Sequence, residues 1–297
     1  MNDLPIRQAI ALPEIAAMKQ SGTRIVMVTA YDYPSARLAS EAGIDLLLVG
    51  DSAGNNVFGY ETTVPVSMDE AVMLTAAVAR ARPRSLVVGD LPFGSFQASD
   101  ADAVSNAVRL VKAGADAVKL EGAGQMVSRV RAIVEAGIAV MGHIGLTPQS
   151  ATKLGGMKAQ GRTAAAARQL LTDARELQMA GSFAIVLEAV PGQVAARVTE
   201  ALRIPTIGIG AGPACDGQVL VWHDLLGINE GVAPRFVKRY ADVAGEIRRG
   251  LTAFAADVRS GAYPAEEHQY KIAADELRAF EGDLAPRIAD DDVFRDW

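Results

Sequence analysis

The sequence predicts an α/β fold of the (β/α)8 TIM barrel class, in a single domain with a C-terminal extension. Two observations predict it: eight short apolar runs recur along the chain, and segments with helical spacing lie between them. The runs are nearly continuous in apolar residues, which is typical of parallel strands covered on both faces. They are RIVMVTA (24–30), IDLLLVGD (44–51), SLVVGDLP (85–92), AVKLEG (117–122), IAVMGHIG (138–145), FAIVLEAV (183–190), PTIGIGAG (205–212) and QVLVWHD (218–224). A doubly wound sheet is the alternative that periodicity alone leaves open.

Helix boundaries are marked between the runs. Hydroxyl residues that favour N-cap positions precede three Ala- and Leu-rich segments, and glycines end three helices just before the next strand. The predicted caps are Ser67, Ser99 and Thr163, and the predicted stops are Gly114, Gly137 and Gly181. These predicted helix starts and ends support the alternation of strand and helix on which the barrel prediction rests.

The chain changes character towards its C-terminus. Residues 271–297 carry eight acidic against four basic residues and end in DDDVFRDW. We therefore predict a barrel domain over residues 1–268 and an acidic C-terminal extension over residues 269–297. Within this region we expect a helix at 272–280, followed by a loosely ordered or partner-docked tail.

Composition excludes several classes of protein. With 297 residues, 50% of them hydrophobic and 22% charged, the chain has ordinary globular composition. A net charge of −6 and only 5% aromatic residues weigh against a nucleic-acid partner. One cysteine, Cys215, excludes an intrachain disulfide and a Cys-rich zinc site, and is what a reducing cytoplasm permits. No apolar run approaches the ~18 residues needed to span a bilayer, and the N-terminus is a poor signal peptide. We expect a soluble, cytoplasmic protein without a membrane partner.

Acidic residues fall at or near the C-terminal ends of four predicted strands. They are Asp51, Asp90, Glu121 and Glu188. In a parallel α/β barrel these strand ends meet at one mouth, where active sites are built. A single acid at such a position is usually a helix cap or an ion-pair partner, but four that converge are harder to explain in that way.

Side-chain alternation refines the prediction. In the run AVKLEG, Lys119 and Glu121 share one face, and both point into the barrel if Leu120 meets the helices. Crowded carboxylates in a dry cavity need positive charge, and Lys119 supplies only one. No His/Cys cluster is available for zinc, whereas carboxylates with water and substrate oxygens are typical Mg²⁺ ligands. The pattern therefore predicts a magnesium site that could take a bidentate anion, such as an α-keto acid.

Several longer segments resemble the ketopantoate hydroxymethyltransferase family. They cover roughly residues 10–268, in order and without large gaps. The segments are VTAYDYPSARLASEAGIDLLLVGDSAGNNVFGYETTVPVSMDE (28–70), GDLPFGS (89–95), VKLEG (118–122), GHIGLTPQS (142–150), GGMKAQGR (155–162), LEAVP (187–191), IGIGAGPACDGQVLVWHDLLG (207–227) and YPAEEH (263–268). The order of VGDS, VKLEG and GIGAG followed by CDGQVLVWHD is highly specific to this family.

The resemblance implies an activity and an assembly. Members of the family transfer a hydroxymethyl group from 5,10-methylenetetrahydrofolate to 3-methyl-2-oxobutanoate, which forms ketopantoate on the pantothenate and coenzyme A pathway. It also implies a (β/α)8 barrel, a requirement for Mg²⁺, and a homo-oligomer, typically a decamer of two pentameric rings. The expected partners are therefore a small keto acid, a folate and further copies of the chain.

The resemblance also assigns site residues, position by position. Asp51 and Asp90 correspond to metal-binding acids that also contact substrate, and Glu121 corresponds to a further metal ligand acting through water. Ser52 and Lys119 match substrate-binding positions. Glu188 matches the catalytic general base, which would remove the proton next to the ketone. No site position departs from the family pattern, and the tail after His268 lies outside it.

Some assignments stay open at this stage. Lys119 is expected to bind substrate oxygens as a charged amine, but a Schiff-base lysine is the alternative. His143 ends the fifth run, where a satisfied strand-end histidine is favoured over a proton carrier. Residues 151–162 form either a lid over the mouth or a solvated connector.

Two other functions compete with the hydroxymethyltransferase. One is another Mg²⁺-dependent carbon–carbon lyase that acts on α-keto acids, such as a relative of isocitrate lyase. Those enzymes use a cysteine in a Lys/Arg-Cys-Gly-His loop, whereas Cys215 lies in GPACDG. The other is a non-catalytic metabolite-binding scaffold, which the presence of the complete set of charged site residues disfavours.

Overall fold

Eight parallel strands close into a barrel in the computed structural model of the chain, which describes residues 9–231 and 233–282. The strands are β1 (Ile25–Thr29), β2 (Leu46–Val49), β3 (Leu86–Asp90), β4 (Ala117–Glu121), β5 (Ala139–Gly145), β6 (Ala184–Glu188), β7 (Thr206–Ile209) and β8 (Gly217–Leu220). They follow sequence order around the barrel, and β8 pairs with β1 to close it. Each strand coincides with one predicted run. Closure confirms the predicted fold class and excludes the doubly wound sheet, which has open edges.

Helices connect successive strands except β7 and β8, and one further helix precedes β1 and another follows β8. They are α1 (Leu12–Ser21), α2 (Tyr33–Glu41), α3 (Ala53–Asn56), α4 (Met68–Arg80), α5 (Asp100–Ala113), α6 (Met126–Glu135), α7 (Ala164–Met179), α8 (Gly192–Ala201) and α9 (Trp222–Leu225). A 3-10 turn, Pro148–Ser150, follows β5. Its position directly after a strand end brings it to the mouth of the barrel.

The predicted caps begin the helices that they precede. The side chains of Ser67, Ser99 and Thr163 each accept a hydrogen bond from a main-chain N–H in the first turn of α4, α5 and α7, respectively. Each bond satisfies a donor that has no partner within the helix, which stabilises the helix by about 1 kcal/mol. The local sequence therefore fixes where these helices start.

Gly114 shows why a glycine ends α5. Its φ of 110° lies in the left-handed region, and a Cβ there would come within 2.5 Å of the Ala79 Cβ. Any larger residue would both strain the backbone and push α4 away from α5.

The apolar core has two layers. One fills the barrel interior and includes Leu46, Val88, Met141, Val186 and Ile207. The other lies between the strands and the helices and includes Leu110, Leu120, Ile133, Leu177 and Leu187. Strands with apolar side chains on both faces produce both layers, which is why their runs are nearly continuous in apolar residues.

Helix α1 packs against the interior layer. Its Ile15 is completely buried in the cluster formed by the inward side chains of the strands. Lys19 of α1 bonds Asp216, directly before β8, so α1 lies at the amino ends of the strands and leaves the mouth open to ligands.

The chain divides between Val243 and Ala244 into two compact units. The first contains the barrel. The second contains most of α10 (Val243–Ser260), a 3-10 turn (Glu266–His268) and α11 (Ala274–Gly282). The helix predicted at 272–280 corresponds to α11, and the tail predicted beyond it falls at residues 283–297, outside the described part of the chain. The domain boundary predicted between residues 268 and 269 stays a prediction.

Within residues 9–231 and 233–282, every helix is too short or too polar to cross a bilayer.

Candidate active site

A cavity of about 670 Å³ lies at the carboxyl ends of the strands. Its lining includes all six predicted site residues: Asp51, Ser52, Asp90, Lys119, Glu121 and Glu188. The structure therefore brings together side chains that are spread over more than 130 positions of sequence. Barrel closure is the cause, because it turns separate strand ends into one rim.

Side-chain alternation places the charged residues of β4 as predicted. Lys119 and Glu121 are 3% and 5% exposed and line the cavity. Leu120, between them, packs in the layer between the strands and the helices. The interior orientation predicted for Lys119 and Glu121 is thus confirmed.

Lys119 is held by carboxylates. Its Nζ lies 2.8 Å from Asp90 Oδ1 and 3.8 Å from Glu121 Oε1. Burial alone would lower the pKa of Lys119, but the nearby carboxylates outweigh it and hold the pKa above its usual range. The amine therefore stays protonated, which favours binding of substrate oxygens over the Schiff-base alternative, because a Schiff base needs a neutral amine.

The pKa values of the crowded carboxyl groups shift in different directions. Burial, with repulsion from Asp90 and Glu121, raises the pKa of Asp51 to about 8. The pKa of Asp90 is also raised, mainly by burial, although Lys119 opposes the shift. The pKa of Glu121 is lowered, because interactions with His143 and Lys119 exceed the effect of its burial. The cluster has an excess of negative charge, so Asp51 holds a proton near neutral pH unless a cation compensates.

His143 lies at the centre of the site and is 3% exposed. Its Nδ1 is 3.3 Å from Glu121 Oε1 and its Nε2 is 3.3 Å from Glu188 Oε2. Burial and Lys119 lower the pKa of His143, but the charge of Glu121 and hydrogen bonds to Glu121 and Glu188 raise it to about 9. The ring lies between the two carboxylates, and their negative charge favours its protonated form.

Ser52 is oriented by a buried tyrosine. The Ser52 Oγ and the Tyr31 hydroxyl oxygen are 2.8 Å apart. Burial holds the pKa of Tyr31 above its usual range, so the phenol keeps its proton. Ser52 thereby presents a fixed hydroxyl to the cavity.

The backbone around Glu188 requires a glycine on the neighbouring strand. Gly145 has a φ of 96°, and a Cβ there would lie 2.3 Å from the Glu188 carbonyl oxygen. The same oxygen accepts a hydrogen bond of 2.8 Å from the Leu146 N–H. Ala189, just after Glu188, has a φ of 49°, in a region that non-glycine residues rarely adopt. Such conformations cluster at functional sites, where the surrounding structure maintains them.

Comparison with known proteins now decides the family. The sequence model of ketopantoate hydroxymethyltransferase matches residues 9–266, which is most of the chain. The chain belongs to the ketopantoate hydroxymethyltransferase family. The resemblance of the sequence motifs to this family is therefore confirmed.

Relatives in this family are similar over nearly their full length. The 3-methyl-2-oxobutanoate hydroxymethyltransferase of Moorella thermoacetica is 57% identical over 266 residues, which cover 89% of this chain and 99% of the relative. The enzyme of the same name from Thermobifida fusca is 54% identical, over 88% of this chain and 93% of the relative. Hydroxymethyl transfer is thus favoured over the lyase and the scaffold that the sequence left as alternatives.

Solved structures of other families share the barrel. Phosphonopyruvate hydrolase, in complex with oxalate and Mg²⁺, aligns with a TM-score of 0.56 at 13% identity, covering 92% of this chain and 95% of that one. A 2,3-dimethylmalate lyase aligns with a TM-score of 0.55 at 15% identity, covering 94% and 96%. At such low identity these matches establish only the fold of this chain.

Sequence reasoning missed one residue of the site and left the role of another open. It favoured a satisfied strand-end histidine at His143, and the structure places this ring in the cavity lining beside Glu121 and Glu188, on the face of β5 that it shares with the inward Met141. It did not single out Gln149 within GHIGLTPQS, yet this side chain is 5% exposed and hydrogen-bonds Asp51. Parity could have revealed His143, whereas no periodic signal points Gln149 inwards.

The carboxylates offer a suitable donor set for a divalent cation. Within residues 9–231 and 233–282, no group of three His, Cys, Asp or Glu side chains is arranged as a ready-made metal centre. Asp51 and Asp90 are nevertheless adjacent, because the Asp51 N–H donates to Asp90 Oδ2 at 3.2 Å. Mg²⁺ commonly binds through only one or two carboxylates and completes its coordination with water and substrate. The oxygen donors and the excess negative charge of this cavity both fit such an ion.

Proposed function

We propose that this chain catalyses hydroxymethyl transfer from 5,10-methylenetetrahydrofolate to 3-methyl-2-oxobutanoate, in a Mg²⁺-dependent reaction that forms ketopantoate. One observation supports the proposal most directly. This chain, which belongs to the family, has Asp51, Asp90, Lys119, Glu121 and Glu188 around one cavity. The acceptor follows from the names of the relatives. The folate donor and the metal rest on the resemblance and on the chemistry of the cavity.

The metal would be held by Asp51 and Asp90, with Glu121 as a further ligand through water. When bound, Mg²⁺ supplies a Lewis acid that stabilises negative charge developing on the keto acid, which is worth several kcal/mol. Glu121 keeps its carboxylate in place through His143 Nδ1 and through the main-chain N–H of Gln149, which donates to Glu121 Oε2 at 3.0 Å.

The keto acid would be bound by Lys119 and Ser52. The ammonium group of Lys119 is fixed by Asp90 and retains its charge, so it can donate to substrate oxygens without being consumed. The hydroxyl of Ser52, oriented by Tyr31, is a second donor. Hydrogen bonds from two directions would fix the orientation of the keto acid for proton removal.

Glu188 would act as the general base. It lies on β6, opposite the β2–β4 carboxylates, and its Oε2 is 3.3 Å from His143 Nε2. Glu188 takes the proton from C3 of the keto acid, and the electrons of that C–H bond become the nucleophile. They form the new carbon–carbon bond to the one-carbon unit, whose bonds to the folate nitrogens are broken. One water supplies the hydroxyl group of the product, and tetrahydrofolate leaves with its nitrogens protonated. General-base catalysis of this kind typically contributes 10²–10⁴-fold.

The outer part of the cavity would receive the folate. A small keto acid fills only part of a space of about 670 Å³, which lies in the size range of sites for larger ligands. Met157, Pro234, Arg235 and Phe236 line the same cavity. Aromatic and apolar groups suit a pterin ring, and an arginine suits a carboxylate of its glutamate tail. Because Met157 belongs to the loop 151–162, this loop would close over the donor.

The direct test is the complete reaction with the purified full chain. With 3-methyl-2-oxobutanoate, 5,10-methylenetetrahydrofolate and Mg²⁺, we expect ketopantoate in the chromatogram, and we expect none after EDTA treatment. Readdition of Mg²⁺ should restore the product. Formation of a cleavage product from a keto acid, without any ketopantoate, would instead support the lyase alternative.

The chain would act as a homo-oligomer, a decamer by resemblance to the family. The helix α10 carries four large apolar side chains with helical spacing, at Ile247, Leu251, Phe254 and Val258, and none of its residues is buried. Such a face supports contact with further copies of the chain. A hydrodynamic mass close to ten chains would agree, whereas a mass of one chain would refute it. A cytoplasmic location, suggested by the single cysteine, stays a prediction.

A further inference from the structure

Gln149 connects three of the strand ends that build the site. Its side-chain Nε2 donates to Asp51 Oδ2 and to the Leu91 carbonyl oxygen, both at 3.0 Å. Its main-chain N–H donates to Glu121 Oε2, also at 3.0 Å. One residue on the 3-10 turn after β5 is therefore bonded to groups that follow β2 and β3 and to the last residue of β4.

The orientation of this amide is fixed by a second glutamine. The Gly94 N–H donates to Gln97 Oε1 at 2.7 Å, so Gln97 must present its Nε2 on the other side. Gln97 Nε2 donates to Gln149 Oε1 at 3.3 Å. The acceptor atoms of Asp51 and Leu91 agree with this assignment, since both need a donor. The two amides form a directional chain that starts at the main chain and ends at the Asp51 carboxylate.

Gln149 also separates the site from a neighbouring cavity. That cavity, of about 720 Å³, is lined by Gln149 and Glu121 together with residues of the loops after β4 and β5. Glu121 lines both cavities, whereas Gln149 lines only the neighbouring one. The glutamine thus lies behind the carboxylates, where it can act on them without touching a substrate.

We propose that Gln149 is a positioning residue that fixes the Asp51 carboxylate for binding the divalent cation. The inference rests on the proposed function, because the cation belongs to it. A carboxylate with one oxygen held by a buried donor cannot rotate freely, so its other oxygen has a defined direction. Partners of this kind, one step removed from the metal, typically change metal affinity by 10- to 100-fold when they are removed.

The informative variant is Gln149→Met. Methionine has nearly the same length and volume as glutamine but donates no hydrogen bond, so it keeps the wall between the two cavities. It also keeps the main-chain bond to Glu121. A Gln149→Ala variant would remove the hydrogen-bond donor and also join the two cavities, so the two effects could not be separated. The matched control is Gln178→Ala, because Gln178 Oε1 accepts from the main-chain N–H groups of Arg203 and Ile204 on a different part of the barrel.

The measurement is the Kd of Mn²⁺ for the full chain, followed by electron paramagnetic resonance without substrates. We expect the Kd of Gln149→Met to rise 10- to 100-fold above that of the wild type. We expect Gln97→Ala to give a smaller rise, and Gln178→Ala to give none even if its Tm falls. An unchanged Kd in Gln149→Met, with tight binding in the wild type, would overturn this inference but leave the proposed function standing. A wild type that binds no Mn²⁺ would overturn this inference, and only equal ketopantoate formation in EDTA would overturn the Mg²⁺ dependence of the proposed function.

Kinetics provide a second readout that a purely structural role would not give. In Gln149→Met the Mg²⁺ concentration needed for half-maximal rate should rise with the Kd, and saturating Mg²⁺ should restore most of kcat. If kcat stays low at every Mg²⁺ concentration and the Kd is unchanged, Gln149 does not act through the cation site.

Discussion

The barrel interior has two halves, which are built from the same strands. The deeper half is lined by apolar side chains, whereas the half at the mouth is lined by charged ones. On β4 the inward residues are Ala117, then Lys119 and Glu121, and on β6 they are Ala184, then Val186 and Glu188. Moving towards the carboxyl end, each strand passes from an apolar layer to charged groups. The deeper half is a dry, close-packed core, whereas the mouth holds buried carboxylates with too little compensating charge.

This difference separates stability from function. Buried apolar side chains stabilise the fold by removing surface from water, at roughly 25 cal/mol per Å². Buried charges cost free energy unless they are paired, and burial together with repulsion from Asp90 and Glu121 raises the pKa of Asp51 to about 8. Substitutions in the deeper half should therefore affect stability first, and substitutions at the mouth should affect catalysis first.

The largest effect should follow a change at the mouth. Glu188→Gln keeps the size of the side chain but removes the base, so kcat for ketopantoate formation should fall about 10²–10⁴-fold. The KM for the keto acid and the Tm should change little. Steady-state kinetics and thermal unfolding check both, with the exposed Glu135→Gln as a control that keeps full activity. A loss of Tm that accounts for the loss of rate would contradict the division between the two halves.

The next effect belongs to the deeper half. Leu46 is completely buried in the interior layer, and Leu46→Ala should lower the free energy of unfolding by about 2–5 kcal/mol. Because Leu46 lies below the charged rim, kcat per folded molecule should stay close to that of the wild type. Denaturant unfolding and active-site titration measure the two quantities separately. A fall in kcat without a loss of stability would show that the two halves are not separable.

The smallest effect concerns the pH dependence of stability. The pKa of Asp51 is about 8 in the folded chain, well above the 3.8 of an unperturbed aspartate, so the folded state binds this proton more tightly. The contribution of Asp51 to stability is therefore complete below pH ~4 and is lost as the pH rises through ~8.

Asp51→Asn removes this titration. In EDTA, its stability relative to the wild type should increase between pH 5 and 8, by at most about 1.4 kcal/mol per pH unit. Unfolding free energies measured across that range provide the test. Parallel profiles for Asp51→Asn and wild type would mean that Asp51 is ionised throughout.

The same contrast explains how far the sequence could predict the structure. The strands were predictable because both of their faces are apolar, and the helix starts because Ser67, Ser99 and Thr163 satisfy main-chain donors locally. Convergence of the four acids followed from barrel topology. These features depend on local sequence or on the fold class alone.

Contacts between side chains of different strands were harder to predict from the sequence. Glu121 is paired in register with His143, and that register depends on how all eight strands close. Gln149 lies on a turn, where no period determines the direction of a side chain. Its contact with Asp51 joins residues 98 positions apart. Such tertiary contacts appear only once the backbone is in place.

The most direct test of the account is exchange of the C3 proton of 3-methyl-2-oxobutanoate in D₂O, followed by NMR with Mg²⁺ and without folate. It isolates proton removal at the mouth from the later transfer. We predict exchange with the wild type, and binding of the keto acid without catalysed exchange for Glu188→Gln. Normal exchange by Glu188→Gln would contradict the assignment of the base and, with it, the division of the barrel into a stabilising core and a reactive mouth.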